Sequence, residues 1–198
     1  MGDLLDIGIK SAIGGSVYDN QSTPTGQLKD IVQILEPYKK QIDGAVEGNH
    51  EWRLYKETGV NITELLCMFL NVPYMKHSGA ITYAFEKRAY NINFFHGKGA
   101  GSVGNALAHT KGMANKVFAD VYLMGHVHAT AHTKRDIKSI DSRNNKIDTM
   151  TQYFCLTGHS LEYDESYAEQ MNLEINTKGF PLVILHGMTP RKFIEIID

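Results

Sequence analysis

The chain has 198 residues, of which 42% are hydrophobic and 21% charged, so it can bury a full core as one domain, and an organisation into two small domains stays open. Its formal net charge of −2 excludes the broad basic field that binds nucleic acid non-specifically, so nucleic acid is expected as a substrate only. The sequence contains neither an apolar run long enough for a membrane span nor a basic segment followed by an apolar leader, and we expect a cytoplasmic protein that does not bind membranes.

Apolar periodicity predicts helices and strands that alternate through the first half of the chain. Residues 28–38 have helical spacing, and Pro37 is expected to end or kink that helix. The segment GAVEGN predicts a short strand, and Asn61 with Glu64 has the spacing of a helix cap. Further strands are predicted at residues 80–85, 90–95 and 120–124, and a further helix at residues 105–116.

The second half of the chain is rich in predicted strands. Residues 134–141 and 146–156 flank SRNN, which is typical of a hairpin turn, and the segments FPLVILHG and RKFIEIID are also strand-like. The sequence has no internal repeat, low-complexity tract or obvious linker. We therefore predict one α/β domain that spans residues 1–198.

Polar residues that could bind a metal follow these predicted strands. They are Asp3, the GNHE segment at residues 48–51, His96, His126 and His128. The carboxyl ends of strands in an open α/β sheet are where ligands bind, and neighbouring glycines let the backbone turn sharply or approach a ligand closely. A carboxylate, an amide oxygen and several imidazoles suit Mn, Fe, Ni or Zn better than Ca or Mg.

The order of these motifs resembles the calcineurin-like metallophosphoesterases. GD at residues 2–3, GNHE, a lone His96 and GHVH at residues 125–128 follow the family order, and GNHE with GHVH is far more specific than either alone. The stretch SYAEQMN followed by GFPLVIL is similar to bacterial and phage-encoded members. The resemblance implies a four-layer αββα sandwich that hydrolyses phosphomonoesters or phosphodiesters, with nucleic acid or nucleotides among the substrates to consider.

The resemblance also implies roles for single residues around two divalent metal ions. Asp3 would bridge the two metals, and Asn49, His96 and His126 would complete the second metal site. His128 would belong to the first site. His50 matches the general acid of the family, placed beside the leaving group and not on a metal. The ions would be Mn, Fe, Ni or Zn.

The family pattern begins with a D-x-H element upstream of GD, and this sequence has no D-x-H before Asp3. We therefore expect a chain that lacks the first strand and helix of the family and binds one metal tightly. A truncated reading frame, an internal start and one half of a split protein all stay open. The strand predicted to end at Asp3 would have an exposed edge, which a partner segment or a second copy is expected to cover.

Three further residues have less specific signals. Arg53 is a candidate phosphate contact, and His159, in LTGHSLEY, is a candidate residue of the pocket wall. Glu51 could orient His50, pair with Arg53 or face water. Two alternatives to an enzyme stay open: a noncatalytic scaffold, as in the retromer subunit with this kind of fold, and a fragment that folds only with a partner. Retention of a general acid favours the enzyme.

Overall fold

The structure, a computed structural model, describes residues 1–9, 22–86, 88–99, 102–164, 169, 174–176, 178–189 and 191–197. Its helices within these residues are α1 (Pro24–Leu35), a 3₁₀ helix (Glu36–Gln41), α2 (Asn49–Thr58), α3 (Ile62–Leu70) and α4 (Val103–Met113). Its strands are β1 (Ser78–Phe85), β2 (Arg88–Phe95), β3 (Val121–Met124), β4 (Thr130–Asp141), β5 (Lys146–Thr157), β6 (Leu182–Leu185) and β7 (Ile194–Ile197). The predicted α/β class is confirmed.

The chain divides into two compact units. Unit 1 comprises Met1–Gly79 with Phe95–Gly97, and unit 2 comprises Ala80–Phe94 with Lys98–Asp198. The prediction of one domain over residues 1–198, like that of a four-layer sandwich, stays a prediction. The segment SYAEQMN lies outside the described residues except for Glu169.

Unit 1 is built from helices whose ends follow local capping rules. Thr23 caps α1 by accepting a hydrogen bond from the Gly26 N–H, and Pro24 occupies the first turn, where its missing N–H costs nothing. The α-helix ends before the position predicted, because the chain continues as a 3₁₀ helix that contains Pro37. Asn61 caps α3, as predicted, by accepting from the Glu64 N–H at 2.9 Å.

The apolar core of unit 1 joins α1 and α3 to the first residues of the chain. Its buried members are Leu5, Ile7, Leu28, Ile62, Leu66 and Leu70.

The prediction of a strand that ends at Asp3 is wrong, since none of residues 1–9 lies in a strand. The N–H groups of Asp3, Leu4 and Leu5 donate to the Glu51 carboxylate, so their hydrogen bonds need no neighbouring strand. The exposed strand edge expected there is therefore absent from residues 1–9.

The predicted strand GAVEGN is also wrong, because it forms only one isolated parallel bridge, between Ala45 and Tyr74. Within this segment Glu47 is buried, and its carboxylate accepts hydrogen bonds from the Tyr74 hydroxyl at 2.8 Å and from Asn61 Nδ2 at 3.1 Å. These side-chain bonds, together with backbone hydrogen bonds to residues 73–76, fix the segment that leads into residues 48–51.

Unit 2 contains a five-stranded mixed sheet in the order β1-β2-β3-β5-β4. Strand β3 pairs with β5 in parallel and β5 with β4 antiparallel. The core on this sheet includes Tyr90, Ile92 and Val121, together with Ile194 from β7, and β6 and β7 form a separate two-stranded sheet. The run Val121–Met124 is almost wholly buried, which explains why its sequence is continuously apolar.

The predicted hairpin is present as the paired strands β4 and β5. Asp141 shapes the turn by accepting from the N–H groups of Arg143 and Asn144, and Asn145 adopts a left-handed conformation with φ 49°. Strand β4 alternates between half-buried and exposed residues, which fits a sheet face that meets water. None of the described helices is long and apolar enough to cross a membrane.

Candidate metal centre and acid–base pair

Gly2 and Asp3 form a left-handed turn that points the Asp3 carboxylate at the start of α2. Their φ angles are 79° and 51°, and the second is uncommon for a residue with a side chain, although Asp tolerates it better than most. Asp3 Oδ1 accepts from the His50 N–H, in the first turn of α2, at 2.9 Å. The helix N-terminus therefore holds one carboxylate oxygen, which leaves Oδ2 to face other groups.

Two glycines make this close approach possible. A Cβ on Gly48 would lie 2.0 Å from Asp3 Oδ1 and 2.2 Å from the Asp3 nitrogen. A Cβ on Gly2 would lie 2.6 Å from His96 Nδ1 and 2.7 Å from the Gly48 Cα atom. The glycines of GD and GNHE are therefore required by contact between the two segments, which is the backbone approach expected from the sequence.

Three potential ligand atoms converge beside this turn. His96 Nε2 lies 3.0 Å from Asp3 Oδ2 and 3.0 Å from Asn49 Oδ1. Two ligands about 2.1 Å from one ion and at right angles to each other lie about 3.0 Å apart, so both distances suit neighbouring positions around a single divalent cation. The donor set, one carboxylate, one amide oxygen and one imidazole, also suits a transition metal.

The orientation of His96 makes Nε2 the atom available to a metal. His96 is buried, and its Nδ1 lies 2.9 Å from the Met1 carbonyl oxygen, to which only an N–H can donate. The neutral ring then carries its lone pair on Nε2, facing the oxygens of Asp3 and Asn49. Because all three atoms are electron-rich, a proton or a cation has to lie among them.

The ionisation of Asp3 and His96 shows this coupling. Burial favours the neutral form of Asp3, but hydrogen bonds from His96 and from the His50 N–H outweigh it and lower the pKa of Asp3 to about 2. Burial likewise favours neutral His96, but the Asp3 hydrogen bond and charge outweigh it and raise the pKa of His96 above its ordinary value. Both shifts have the same cause, the close contact between the Asp3 carboxylate and His96 Nε2.

His50 is held by a carboxylate that the motifs did not reveal. His50 Nδ1 lies 2.9 Å from Asp6 Oδ1, and this hydrogen bond lowers the pKa of Asp6 despite partial burial. The other ring nitrogen, Nε2, lies 3.9 Å from Asp3 Oδ2 and so faces the ligand cluster. Arg53, one turn further along α2, also lowers the pKa of Asp6 through its positive charge. The spacing Asp3 to Asp6 was the available sequence signal.

Glu51 has a role different from the three considered from the sequence. Its side chain is 3% exposed, so it does not face water. Its oxygens accept from four backbone N–H groups, those of Asp3, Leu4, Leu5 and Gly48, at 2.7 to 3.1 Å. Burial and the nearby Asp3 charge raise the pKa of Glu51, although these hydrogen bonds oppose the shift. Glu51 therefore fastens the GD turn to the first turn of α2.

The remaining predicted site residues belong to unit 2. His126 directly follows β3 and Gly125, and its φ of 66° is a left-handed conformation, as at Asp3. His128 precedes β4, and its ring centroid lies 5.4 Å from that of His159, at a tilt of 35°. His128 and His159 line one cavity of unit 2. Residues that adopt left-handed backbone at a cost in energy concentrate at functional sites.

The structure thus brings together, within unit 1, four of the predicted site residues: Asp3, Asn49, His50 and His96. Within unit 2 it brings His128 close to His159. The prediction that the histidines of both units share one metal centre stays a prediction, as do the metal and catalytic roles. No protein-family profile, curated protein or solved structure matches this chain.

Proposed function

We propose that this protein is a metal-dependent phosphoesterase of the metallophosphoesterase kind, with the four-layer sandwich of that family. The observation that carries the proposal is that His96 Nε2 lies 3.0 Å from both Asp3 Oδ2 and Asn49 Oδ1. These residues would hold one divalent cation, and His126 is the proposed fourth ligand from GHVH. His128 would serve a second cation. A bound cation polarises phosphate oxygens and makes water more acidic, which is the chemistry that phosphoester hydrolysis needs.

The side chains of unit 1 would handle charge and protons during this reaction. His50 would give the proton on Nε2 to the departing oxygen, because Nδ1 is engaged with Asp6. Asp6 would fix the orientation of the His50 ring through its contact with Nδ1. Arg53, close to Asp6, would stabilise negative charge on the phosphate. A noncatalytic scaffold would have no use for a buried ligand cluster beside a carboxylate-held histidine.

The test is Mn²⁺ binding together with hydrolysis of bis(p-nitrophenyl) phosphate, in the parent chain and in matched Asp→Asn variants. Asp3→Asn removes the charge of a proposed ligand, whereas Asp148→Asn removes one from an exposed position on β5. We expect Asp3→Asn to weaken Mn²⁺ binding by at least about tenfold and to abolish most activity, with Asp148→Asn unchanged. Equal Mn²⁺ binding by the two variants would contradict the proposed centre.

A Mn²⁺-binding chain with no turnover on any phosphoester would favour the scaffold instead. Mass spectrometry under native conditions then gives the number of ions per chain. We expect one tightly bound ion, held by the unit 1 ligands, and its loss in His96→Ala would support the assignment.

A further inference from the structure

Unit 2 contains a cavity of about 250 Å³, and the lining residues that the structure describes include none of the proposed metal ligands of unit 1. Its walls include His128, His159, Leu161, Tyr163 and Asn176. The volume is just below the range of about 300 to 1,000 Å³ typical of pockets for drug-sized ligands. A single small group, such as one nucleoside, would therefore fit, and a longer oligomer would not.

His159 supplies the strongest sign that this cavity takes a polar ligand. Both of its ring nitrogens are buried, and neither has a hydrogen-bond partner in the part of the chain that the structure describes. Buried polar atoms in native proteins are nearly always hydrogen-bonded, because an unmade bond leaves the full cost of desolvation. The backbone of His159 is well anchored, since its carbonyl accepts from the Gly179 N–H at 3.1 Å. The unused bonding capacity is thus confined to the imidazole.

The chemistry of a neutral imidazole specifies what would satisfy it. One ring nitrogen donates and the other accepts, so a matching ligand has to offer an acceptor and a donor. The edge of a nucleobase offers both, whereas an ionised phosphate offers acceptors and a quaternary ammonium offers neither. The ring faces of His128 and His159, with the apolar side chains of Leu161 and Ile175, also suit a flat ring.

The charge of the cavity disfavours a second phosphate group. Among the lining residues that the structure describes, three are acidic, Glu162, Asp164 and Glu174, and one is basic, Lys178. Lys178 pairs with Glu162, so its charge is already compensated. Three negative charges and one positive charge leave a balance of −2 with neutral histidines, which repels phosphate.

We propose that this cavity binds an uncharged nucleoside, and that the nucleoside is the leaving group of the phosphoester hydrolysed by this protein. The role as leaving-group site rests on the proposed function, because it depends on His128 as a metal ligand. Binding of a free nucleoside does not depend on the metal. His159 would then select the substrate by hydrogen bonds to the base, and a nucleoside diphosphate would be a poor ligand.

The experiment measures binding of uridine and adenosine to the whole chain by calorimetry in the presence of EDTA. His159→Leu removes both ring nitrogens, and His132→Leu is the matched control at an exposed position of β4 in the same unit. We expect His159→Leu to weaken nucleoside binding at least about tenfold, a change usual for lost hydrogen bonds in a buried site, and the control to bind like the parent. Equal binding by both variants would overturn the proposal.

A second variant tests whether the acidic lining of the cavity repels phosphate. Glu174 is exposed, so Glu174→Gln should fold normally; it should leave uridine binding within twofold and tighten uridine diphosphate binding severalfold. Uridine diphosphate binding to the parent chain as tightly as uridine would overturn the proposal. Choline binding in place of nucleosides would also overturn it.

Activity separates this proposal from the proposed function. With Mn²⁺ present, His159→Leu should raise KM for a dinucleoside monophosphate by a larger factor than it changes KM for bis(p-nitrophenyl) phosphate. Hydrolysis of that ester by a parent chain that binds no nucleoside would refute the cavity proposal and leave the proposed function standing. Nucleoside binding by a chain that hydrolyses no phosphoester would refute the leaving-group role along with the proposed function.

Discussion

Replacing Glu51 by glutamine should destabilise unit 1 and its metal cluster, although the substitution changes only one oxygen to an NH₂ group. Each carboxylate oxygen of Glu51 accepts two backbone N–H groups: Oε1 those of Leu4 and Leu5, Oε2 those of Asp3 and Gly48. The glutamine oxygen can serve only one of these pairs. Its NH₂ group would then face two N–H donors in a site that is 3% exposed.

The magnitude follows from the two hydrogen bonds lost. Each buried N–H left without an acceptor costs about 1 to 3 kcal/mol, so Glu51→Gln should lower the free energy of unfolding by about 2 to 6 kcal/mol. That is a large part of the roughly 5 to 15 kcal/mol that stabilises a typical domain. Because the GD turn also carries Asp3, Mn²⁺ affinity should fall as well.

The assay is urea unfolding, with and without Mn²⁺, compared with Glu57→Gln on the exposed side of the same helix. The control should change stability by less than about 0.5 kcal/mol. If Glu51→Gln unfolds at the same urea concentration as Glu57→Gln and binds Mn²⁺ equally, the backbone of the GD turn must be held by other contacts. The assignment of Glu51 as its anchor would then be refuted.

Three further predictions concern the same unit. His50→Ala should slow hydrolysis of esters with poor leaving groups by about 10² to 10⁴-fold, slow hydrolysis of p-nitrophenyl esters much less, and leave the metal content unchanged. Equal loss of rate on the two kinds of ester would refute the role of His50 as general acid. Gly48→Ala should destabilise the chain and weaken Mn²⁺ binding, because the new Cβ would collide with Asp3. The control Gly112→Ala, whose Cβ would meet nothing within 4 Å, should raise the free energy of unfolding by at most about 1 kcal/mol. Equal melting temperatures of the two variants would contradict the contact between Gly48 and Asp3. In EDTA, Asp3 has a pKa of about 2 in the folded chain, below its ordinary value of 3.8. Its contribution of roughly 1 to 2 kcal/mol to the free energy of unfolding is therefore present above pH 3.8 and lost as the pH falls towards 2. The raised pKa of His96 has the opposite effect: it stabilises the folded chain below the unfolded pKa of His96, and this stability is lost as the pH rises through the folded pKa. If Asp3→Asn had the same pH profile of urea unfolding as the parent chain, the Asp3–His96 ion pair would be contradicted.

Local signals in the sequence sufficed for elements whose hydrogen bonds lie within a few residues. Asn61 and Glu64 predicted the start of α3, and the SRNN turn predicted the β4–β5 hairpin, because capping and turn bonds span only three or four positions. The apolar run in β3 predicted a buried strand, because a strand buried on both faces of its sheet needs apolar side chains at nearly every position.

Only the tertiary structure decided how the candidate site is assembled. Residues 1–9 and the GAVEGN segment have strand-like sequences, yet their backbone N–H groups and side chains bond to partners far along the chain instead of to a neighbouring strand. The Asp6–His50 and Asp3–His96 contacts join residues 44 and 93 positions apart, a separation to which local periodicity is blind. The sequence by itself thus determined which chemical groups the chain carries, at turns rich in glycine. The folded chain determined which of them meet, because an aspartate's partner depends on three-dimensional packing and not on its neighbours in sequence.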